Sequence, residues 1–270
     1  MSRPLALLLF PVVAMAACPA QAKMVCTVIA DAADGRVLLE DGDCTTQVTP
    51  ASTFKIALSL MGFDSGFLTD DHAPALPFRE GYPDWGGDNW RQPTDASRWM
   101  KYSVVWFSQR ITEALGAERF ADYVAAFDYG NADVSGDPGK NNGLERSWIS
   151  SSLKISPREQ VDFLRRLLNR DLPVTTAAYD MTERVVETSG FGDGGKAQGK
   201  TGSAAPRKAD GSFDLAKRWG WYVGWTRLED RTLVFARLDQ DERREKGPGG
   251  IRARQAFLAE LPDLLRTVAD

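Results

Sequence analysis

The sequence predicts an α+β fold: strands from both ends of the chain share one antiparallel sheet flanked by helices, and an all-helical lobe is inserted between them. Three observations lead there. Apolar residues alternate with period two over residues 23–44 and again over 195–240, they recur at helical spacing between those stretches, and a final helical run, IRARQAFLAELPDLL, follows the second. Two alternating end segments are most economically satisfied by pairing in one sheet. The chain's 270 residues are 43% hydrophobic and 26% charged, ample for a core that needs neither metals nor many disulfides. The reading divides the chain into a leader over 1–22, a sheet-containing lobe over 23–63 and 190–270, and a helical lobe over 64–189.

The leader carries Arg3, an apolar run from Leu5 to Ala17 and the small-residue ending Ala20-Gln21-Ala22. This is the pattern of a secretory signal, too short to span a bilayer as a mature helix. Cleavage is expected after Ala22, with Ala16 or Ala17 as alternatives; Met15-Ala16-Ala17-Cys18 also reads as a lipoprotein box. Of the three cysteines, Cys18 leaves with the signal, and Cys26 and Cys44 remain in a compartment where disulfides persist. They flank TVIADAADGRVLLEDGD, two strands joined by a turn at residues 31–35, which brings their ends together. A bridge is expected, worth roughly 3 kcal/mol in loop entropy; two independent thiols are the alternative.

Residues 52–61 are apolar and periodic and end at Gly62, which predicts a buried helix. Residues 64–98, rich in Asp, Pro, Gly and Trp, read as irregular chain with short helical turns. SVVWFSQRITEALG, begun by Ser103, and AERFADYVAAFDYG read as two helices. Ser156-Pro157-Arg158-Glu159 starts another, with a cap, a proline at the first helical position and a capping glutamate. GKAQGKTGSAA, RWGWYVGWTRL and TLVFARLDQ read as successive strands.

Composition narrows the chemistry. Lys and Arg number 33 against 37 Asp and Glu, a net charge of −4 without a long basic run, so nucleic acid is not an expected partner. A single histidine, His72, in the acidic loop TDDHAPALP, leaves too few imidazoles for the usual zinc or iron centres, and no metal is expected. The eight tryptophans could line a carbohydrate face, but those in GWYVGW fall in a strand pattern that favours core packing, while Trp85 and Trp90 stand in a glycine-rich stretch.

Ser52 and Lys55 lie at i and i+3 at the head of the buried helix, a hydroxyl nucleophile beside a candidate base. Lys200-Thr201-Gly202 falls on a predicted strand, where Lys200 and Gly202 share a face and the glycine lets a ligand or backbone approach closely. Ser103 could present a second hydroxyl. S-x-x-K, then a serine motif, then K-T-G, in that order, is far more specific than any of its parts.

In these motifs the chain resembles the serine β-lactamase and penicillin-binding superfamily, and within it the class D (OXA-type) β-lactamases. The resemblance covers nearly all of the mature chain: PASTFKIALSLMGFDSG, Ser103-Val104-Val105, Tyr129-Gly130-Asn131, Trp148 in WISSSLKIS, Lys200-Thr201-Gly202 and GWYVGW. It implies the β-lactamase/transpeptidase-like fold, a periplasmic enzyme and hydrolysis of penicillins through a Ser52 acyl-enzyme, conferring resistance. The class A glutamate is missing, since the only Leu-Asn pair, Leu168-Asn169, has Arg165 in its place.

An ordinary lysine is protonated at neutral pH, and burial removes most of that preference. Ile56, Ala57, Leu58 and Val105 predict an apolar pocket around Lys55. A neutral amine can add carbon dioxide, and the resemblance implies that Lys55 is N-carboxylated, with the Trp148 indole N–H donating to the carbamate, which serves as general base for acylation and deacylation. Carbon dioxide or bicarbonate is the only accessory molecule expected. The resemblance further implies an oxyanion hole from the N–H groups of Ser52 and Ser203, proton relay by Ser103 assisted by Lys200, and substrate contacts by Thr201, Gly202, Tyr129 and Asn131. The carboxylate-binding arginine is expected at Arg252, with Arg254 as the alternative. The long stretch NADVSGDPGKNNGLERS between Asn131 and Trp148, and Ser203 after K-T-G, bear on substrate range. The expected partner is a small β-lactam, without stable membrane association, and the protein is a monomer or homodimer. A penicillin-binding sensor domain or a cell-wall D,D-peptidase, each with a stable acyl-enzyme, is the alternative function.

Overall fold

In a computed structural model describing residues 22–192 and 194–269, β1 (Lys23–Asp31) and β2 (Val37–Gly42) form the opening hairpin. Its turn is held by the Asp31 carboxylate, which accepts from the Ala33 N–H at 2.8 Å, and by Gly35, whose φ of 76° puts it in the left-handed region. The leader expected over residues 1–22, apart from Ala22, and with it Cys18, lies outside the described residues. Cys26 and Cys44 are joined in a disulfide with Cα atoms 5.1 Å apart, tying β1 to the chain that leads toward Ser52.

The remaining strands are β3 (Thr188–Phe191), β4 (Gly195–Ala204), β5 (Trp219–Leu228) and β6 (Arg231–Gln240). The order across the sheet is β2-β1-β6-β5-β4-β3, with every neighbouring pair antiparallel. The N-terminal hairpin therefore docks against the C-terminal strands through β1 and β6, with Val28 opposite Ala236. One sheet face, through Tyr222, Leu233 and Phe235, packs on Phe257 and Leu261 of the closing helix α8 (Gly249–Ala269). The other face, through Val28, Trp221, Val223 and Val234, meets the helical core. Burial on both faces explains why β5 and β6 read as near-continuous apolar runs. Among the described residues, no helix is long and apolar enough to cross a membrane.

Between the sheet segments run α1 (Lys55–Asp64), α2 (Ala96–Tyr102), α3 (Val105–Leu115), α4 (Ala117–Ala126), the short α5 (Gly143–Arg146), α6 (Pro157–Leu168) and α7 (Thr176–Val185). The expected capping box begins α6: the Glu159 N–H donates to Ser156 Oγ and the Ser156 N–H to Glu159 Oε2 at 2.7 Å. Two local readings change. The buried helix begins as a 3-10 turn over Ala51–Phe54 before α1, and Ser103 does not begin α3 but ends α2 in a left-handed conformation, φ 57°. The link Ser103-Val104 thus lets two helices meet at an angle, with the Ser103 side chain at the corner.

Candidate active site

Ser52 sits on the 3-10 turn, and that turn is fastened from several directions. The Ala51 N–H and the Thr49 hydroxyl both donate to the Trp148 carbonyl, at 3.0 and 2.9 Å, and the Trp221 indole donates to the Thr49 carbonyl at 2.9 Å. Thr53 Oγ1 donates to the Pro50 carbonyl and accepts from Gln160 Nε2, both at 2.8 Å. Ala51 is forced to φ 52°, an uncommon conformation for a residue with a side chain, so the backbone ahead of Ser52 stores strain that this network sustains. Across from the turn lies β4. A Cβ added at Gly202 would stand 2.8 Å from the Pro50 oxygen and 3.0 Å from Thr53 Cγ2. The glycine of K-T-G therefore admits the backbone of the turn that carries Ser52.

Lys55 opens α1 one turn after Ser52, and its Nζ lies 3.5 Å from Ser52 Oγ. The side chain is 0% exposed. Burial, followed by the nearby charge of Lys200, holds its pKa well below that of an ordinary lysine, a shift toward the neutral amine. Lys200 is buried too, with Nζ donating to the Thr201 carbonyl at 3.2 Å. Its pKa is drawn down to about 8 by burial, with Glu187 opposing the shift and Arg254 adding to it.

These groups meet in one cleft of about 640 Å³. Ser52, Ser103, Val105, Lys200, Thr201 and Ser203 all line it. Trp148 is buried behind it, its rings 5.7 Å from those of Phe54 and 6.3 Å from Phe120. Among the described residues its indole N–H has no hydrogen-bond partner, an unusual state for a buried donor. The donor set fits an N-carboxylated Lys55: a buried amine disposed to be neutral, and an uncommitted buried N–H.

Three expected substrate residues lie elsewhere. Arg252 is turned away, its guanidinium held by Asp241 at 2.5 Å and by the carbonyls of Lys246 and Gly247, whereas Arg254, two residues on, lines the cleft. The two sit on different sides of α8, and spacing alone did not choose the side. Tyr129 is fully buried between Phe54 and Phe163, 5.0 Å from each ring, where it backs the turn that carries Ser52. Asn131 accepts from the Lys154 N–H and donates to the Ser152 carbonyl, both at 2.9 Å, fastening the chain after Trp148. Gly130, at φ 59°, has the Lys154 carbonyl 2.0 Å from where its Cβ would be, so the Tyr-Gly-Asn triplet is a packing device. The long stretch before Trp148 does not line the cleft; its Asp137 is bound by Ser151 Oγ at 2.7 Å and Arg207 at 2.8 Å.

Glu187, Trp85 and Gln160 join the site without having been singled out for it. Gln160 had a sequence signal, since a glutamine occupies an apolar-face position of α6 beside Val161, Leu164 and Leu167. Glu187 had none.

Comparison with known proteins shows the family of the chain. The penicillin binding protein transpeptidase domain matches residues 25–262. The chain is 44% identical over 240 residues to the β-lactamase OXA-9 of Klebsiella pneumoniae, covering 89% of this chain and 88% of that protein. It is 39% identical over 182 residues to the β-lactamase OXA-1 of Escherichia coli, covering 67% and 62%. The solved structure of the OXA-427 class D β-lactamase superposes with a TM-score of 0.83 at 46% identity, over 90% of this chain and 99% of that one.

Proposed function

We propose, for a chain that belongs to the class D serine β-lactamases and so hydrolyses β-lactams in antibiotic resistance, that the covalent intermediate forms on Ser52 and that Lys55 works in its N-carboxylated form. The observation that carries this reading is the pairing of a fully buried Lys55, 3.5 Å from Ser52 Oγ, with an unpartnered Trp148 indole N–H. When carboxylated, the lysine supplies an anionic oxygen able to accept a proton.

Ser52 Oγ attacks the β-lactam carbonyl as it gives up its proton, the carbonyl carbon–nitrogen bond breaks, and the freed nitrogen takes a proton at the Ser103 side of the cleft. Backbone N–H groups of Ser52 and Ser203 would receive the developing oxyanion. Lys200 supplies positive charge beside the reacting centre. Arg254 takes the role first given to Arg252, pairing with the substrate carboxylate from α8. Water then cleaves the Ser52 ester and restores the hydroxyl. Residues 1–22 act as the export signal to the periplasm, with a mature N-terminus at Lys23 checked by N-terminal sequencing of the exported protein.

The test is turnover of a chromogenic β-lactam by the mature chain, with and without bicarbonate after mild acid treatment, counting product per enzyme. Many turnovers that rise with bicarbonate support the reading. One equivalent of product with a stable Ser52 adduct would instead point to a penicillin-binding sensor or D,D-peptidase. Undiminished turnover by Ser52→Ala would sink the nucleophile assignment.

A further inference from the structure

The donor that an N-carboxylated Lys55 would meet has nothing of its own to aim it. The Trp148 indole N–H is without a partner among the described residues, so its direction is set by the packing of its rings against Phe54 and Phe120 and by the backbone that carries it. That backbone is held by a hydroxyl that no step above uses. Thr49, just ahead of the turn that carries Ser52 and 7% exposed, donates from Oγ1 to the Trp148 carbonyl at 2.9 Å and accepts the Ser150 N–H at 3.0 Å. One oxygen thus fastens both neighbours of Ile149, which lines the cleft.

The hydroxyl is itself fixed. Ahead of it, Val48 pairs with Ile155 in an antiparallel bridge, with N–H to carbonyl bonds of 3.0 and 2.9 Å. The Thr49 carbonyl accepts from the buried Trp221 indole at 2.9 Å, and a branched Cβ leaves threonine few ways to turn its hydroxyl. Beyond the tie, Ser150 stands at φ 53°, and its carbonyl accepts from Arg207 Nε at 3.0 Å, the guanidinium being paired with Asp137 at 2.8 Å. Ala51, at φ 52°, gives its N–H to the same Trp148 carbonyl at 3.0 Å. Two strained residues therefore flank this joint, and a strained backbone keeps its place only while its partners hold it.

A hydroxyl that donates to one peptide group and accepts from another has no apolar replacement of the same shape. Without it the Ser150 N–H loses its partner, and the Trp148 carbonyl keeps one donor of two. We propose that Thr49 is a positioning residue for the reaction: its hydroxyl sets the Trp148 backbone so that the indole N–H points at N-carboxylated Lys55. The inference rests on the reading of Lys55 as N-carboxylated. It places the influence of Thr49 on how firmly the lysine holds carbon dioxide, not on substrate binding. One neutral hydrogen bond corresponds to about tenfold in an equilibrium constant, which sets the size of the effect.

The experiment measures, on the mature enzyme, the bicarbonate needed for half-maximal turnover and the carbon-13 signal of the carboxylated lysine. The variants are Thr49→Val, which keeps the shape and removes the hydroxyl, Thr49→Ser, which keeps the hydroxyl, and Trp148→Phe with and without Thr49→Val. T49V should need about tenfold more bicarbonate and give a weaker carbon-13 signal below saturation, with KM for the β-lactam unmoved, while T49S should stay with the wild type. If Thr49 acts through the indole, T49V should add nothing to the bicarbonate requirement of W148F. Melting midpoints show which variants fold, and Thr49→Ala replaces T49V if the valine is not accommodated. A merely structural hydroxyl would lower the melting midpoint and leave the bicarbonate requirement of the wild type; that result, or a further tenfold added to W148F, would overturn the proposal. Failure of the underlying reading looks different: the wild type would then show neither bicarbonate dependence nor a carbon-13 label.

Discussion

Replacing Trp148 by phenylalanine removes one N–H while keeping an aromatic ring against Phe54 and Phe120. Since that N–H has no partner among the described residues, the substitution breaks no hydrogen bond in the unmodified protein. Its cost to stability is confined to lost packing and should stay below the ~3–5 kcal/mol typical of truncating a tryptophan to alanine. On an N-carboxylated Lys55 the same N–H would donate to an anion, an interaction worth about 1.5–3 kcal/mol. At 1.4 kcal/mol per tenfold, the affinity for carbon dioxide should drop by roughly 10- to 150-fold. Titrating turnover against bicarbonate reads this directly, and carbon-13 labelling counts the carboxylated lysine by NMR. W148F should need far more bicarbonate for half-maximal turnover and regain activity when it is supplied, with the melting midpoint little moved. A bicarbonate dependence identical to wild type in a folded W148F would refute the assigned role of the indole.

Gly202→Ala puts a methyl group 2.8 Å from the Pro50 oxygen, so it should push the nucleophile turn off β4, costing about 1–3 kcal/mol in thermal melts and slowing acylation in stopped-flow more than it raises KM. Gln160→Met removes the donor to Thr53 Oγ1 and should lower stability by about 1–2 kcal/mol together with kcat, whereas Thr53→Ser, which keeps the hydroxyl, should retain both. Arg254→Ala should raise KM at least tenfold with little change in melting midpoint. Arg252→Ala should do the reverse, because it uncovers Asp241, whose side chain is 1% exposed. Lys200, with its pKa lowered to about 8, is charged below that pH and neutral above it, so KM for an anionic β-lactam should climb as pH passes 8. The unfolded chain binds the extra proton between about 8 and 10.5, so the stability cost of burying this lysine is relieved as pH rises through that window. KM flat from pH 7 to 9.5 would exclude a charge role for Lys200.

Much of this was legible because local rules and the global fold agreed. Ser156 to Glu159 announce a capping box, and β5 and β6, although near-continuous apolar runs, could be read as strands because turns bound each one. The short edge strand β3 was not legible: Thr188–Phe191 holds four residues, one of them a glycine, and pairs only with β4. Ser103 was misplaced for an instructive reason. SVVWFSQ has helical periodicity, yet its serine stands at φ 57°, a conformation that propensity disfavours and only tertiary context imposes. For Arg252 and Arg254 the sequence supplied two equivalent cations, and the choice fell to Asp241, a partner distant from the strand that carries the reaction chemistry.

The electrostatics of the lysine pair explain why one pocket can serve two opposed demands. Burial disfavours the Lys55 ammonium and so makes the amine available to carbon dioxide, but the same burial disfavours the anion that N-carboxylation would produce. An apolar pocket alone would therefore defeat itself. Lys200 breaks the symmetry: its positive charge repels the ammonium and attracts an anion, acting in the same direction on both states. That charge depends in turn on Glu187, which opposes the loss of the Lys200 proton, and on Arg254, which promotes it. Removing the carboxylate in Glu187→Gln should accordingly lower the Lys200 pKa and move the alkaline fall in substrate affinity toward neutral pH, with a matching rise in the bicarbonate needed at pH 7.5. A pH profile of KM and of bicarbonate dependence on the same variant tests both limbs. If only one moves, the two lysines are not coupled through charge as argued.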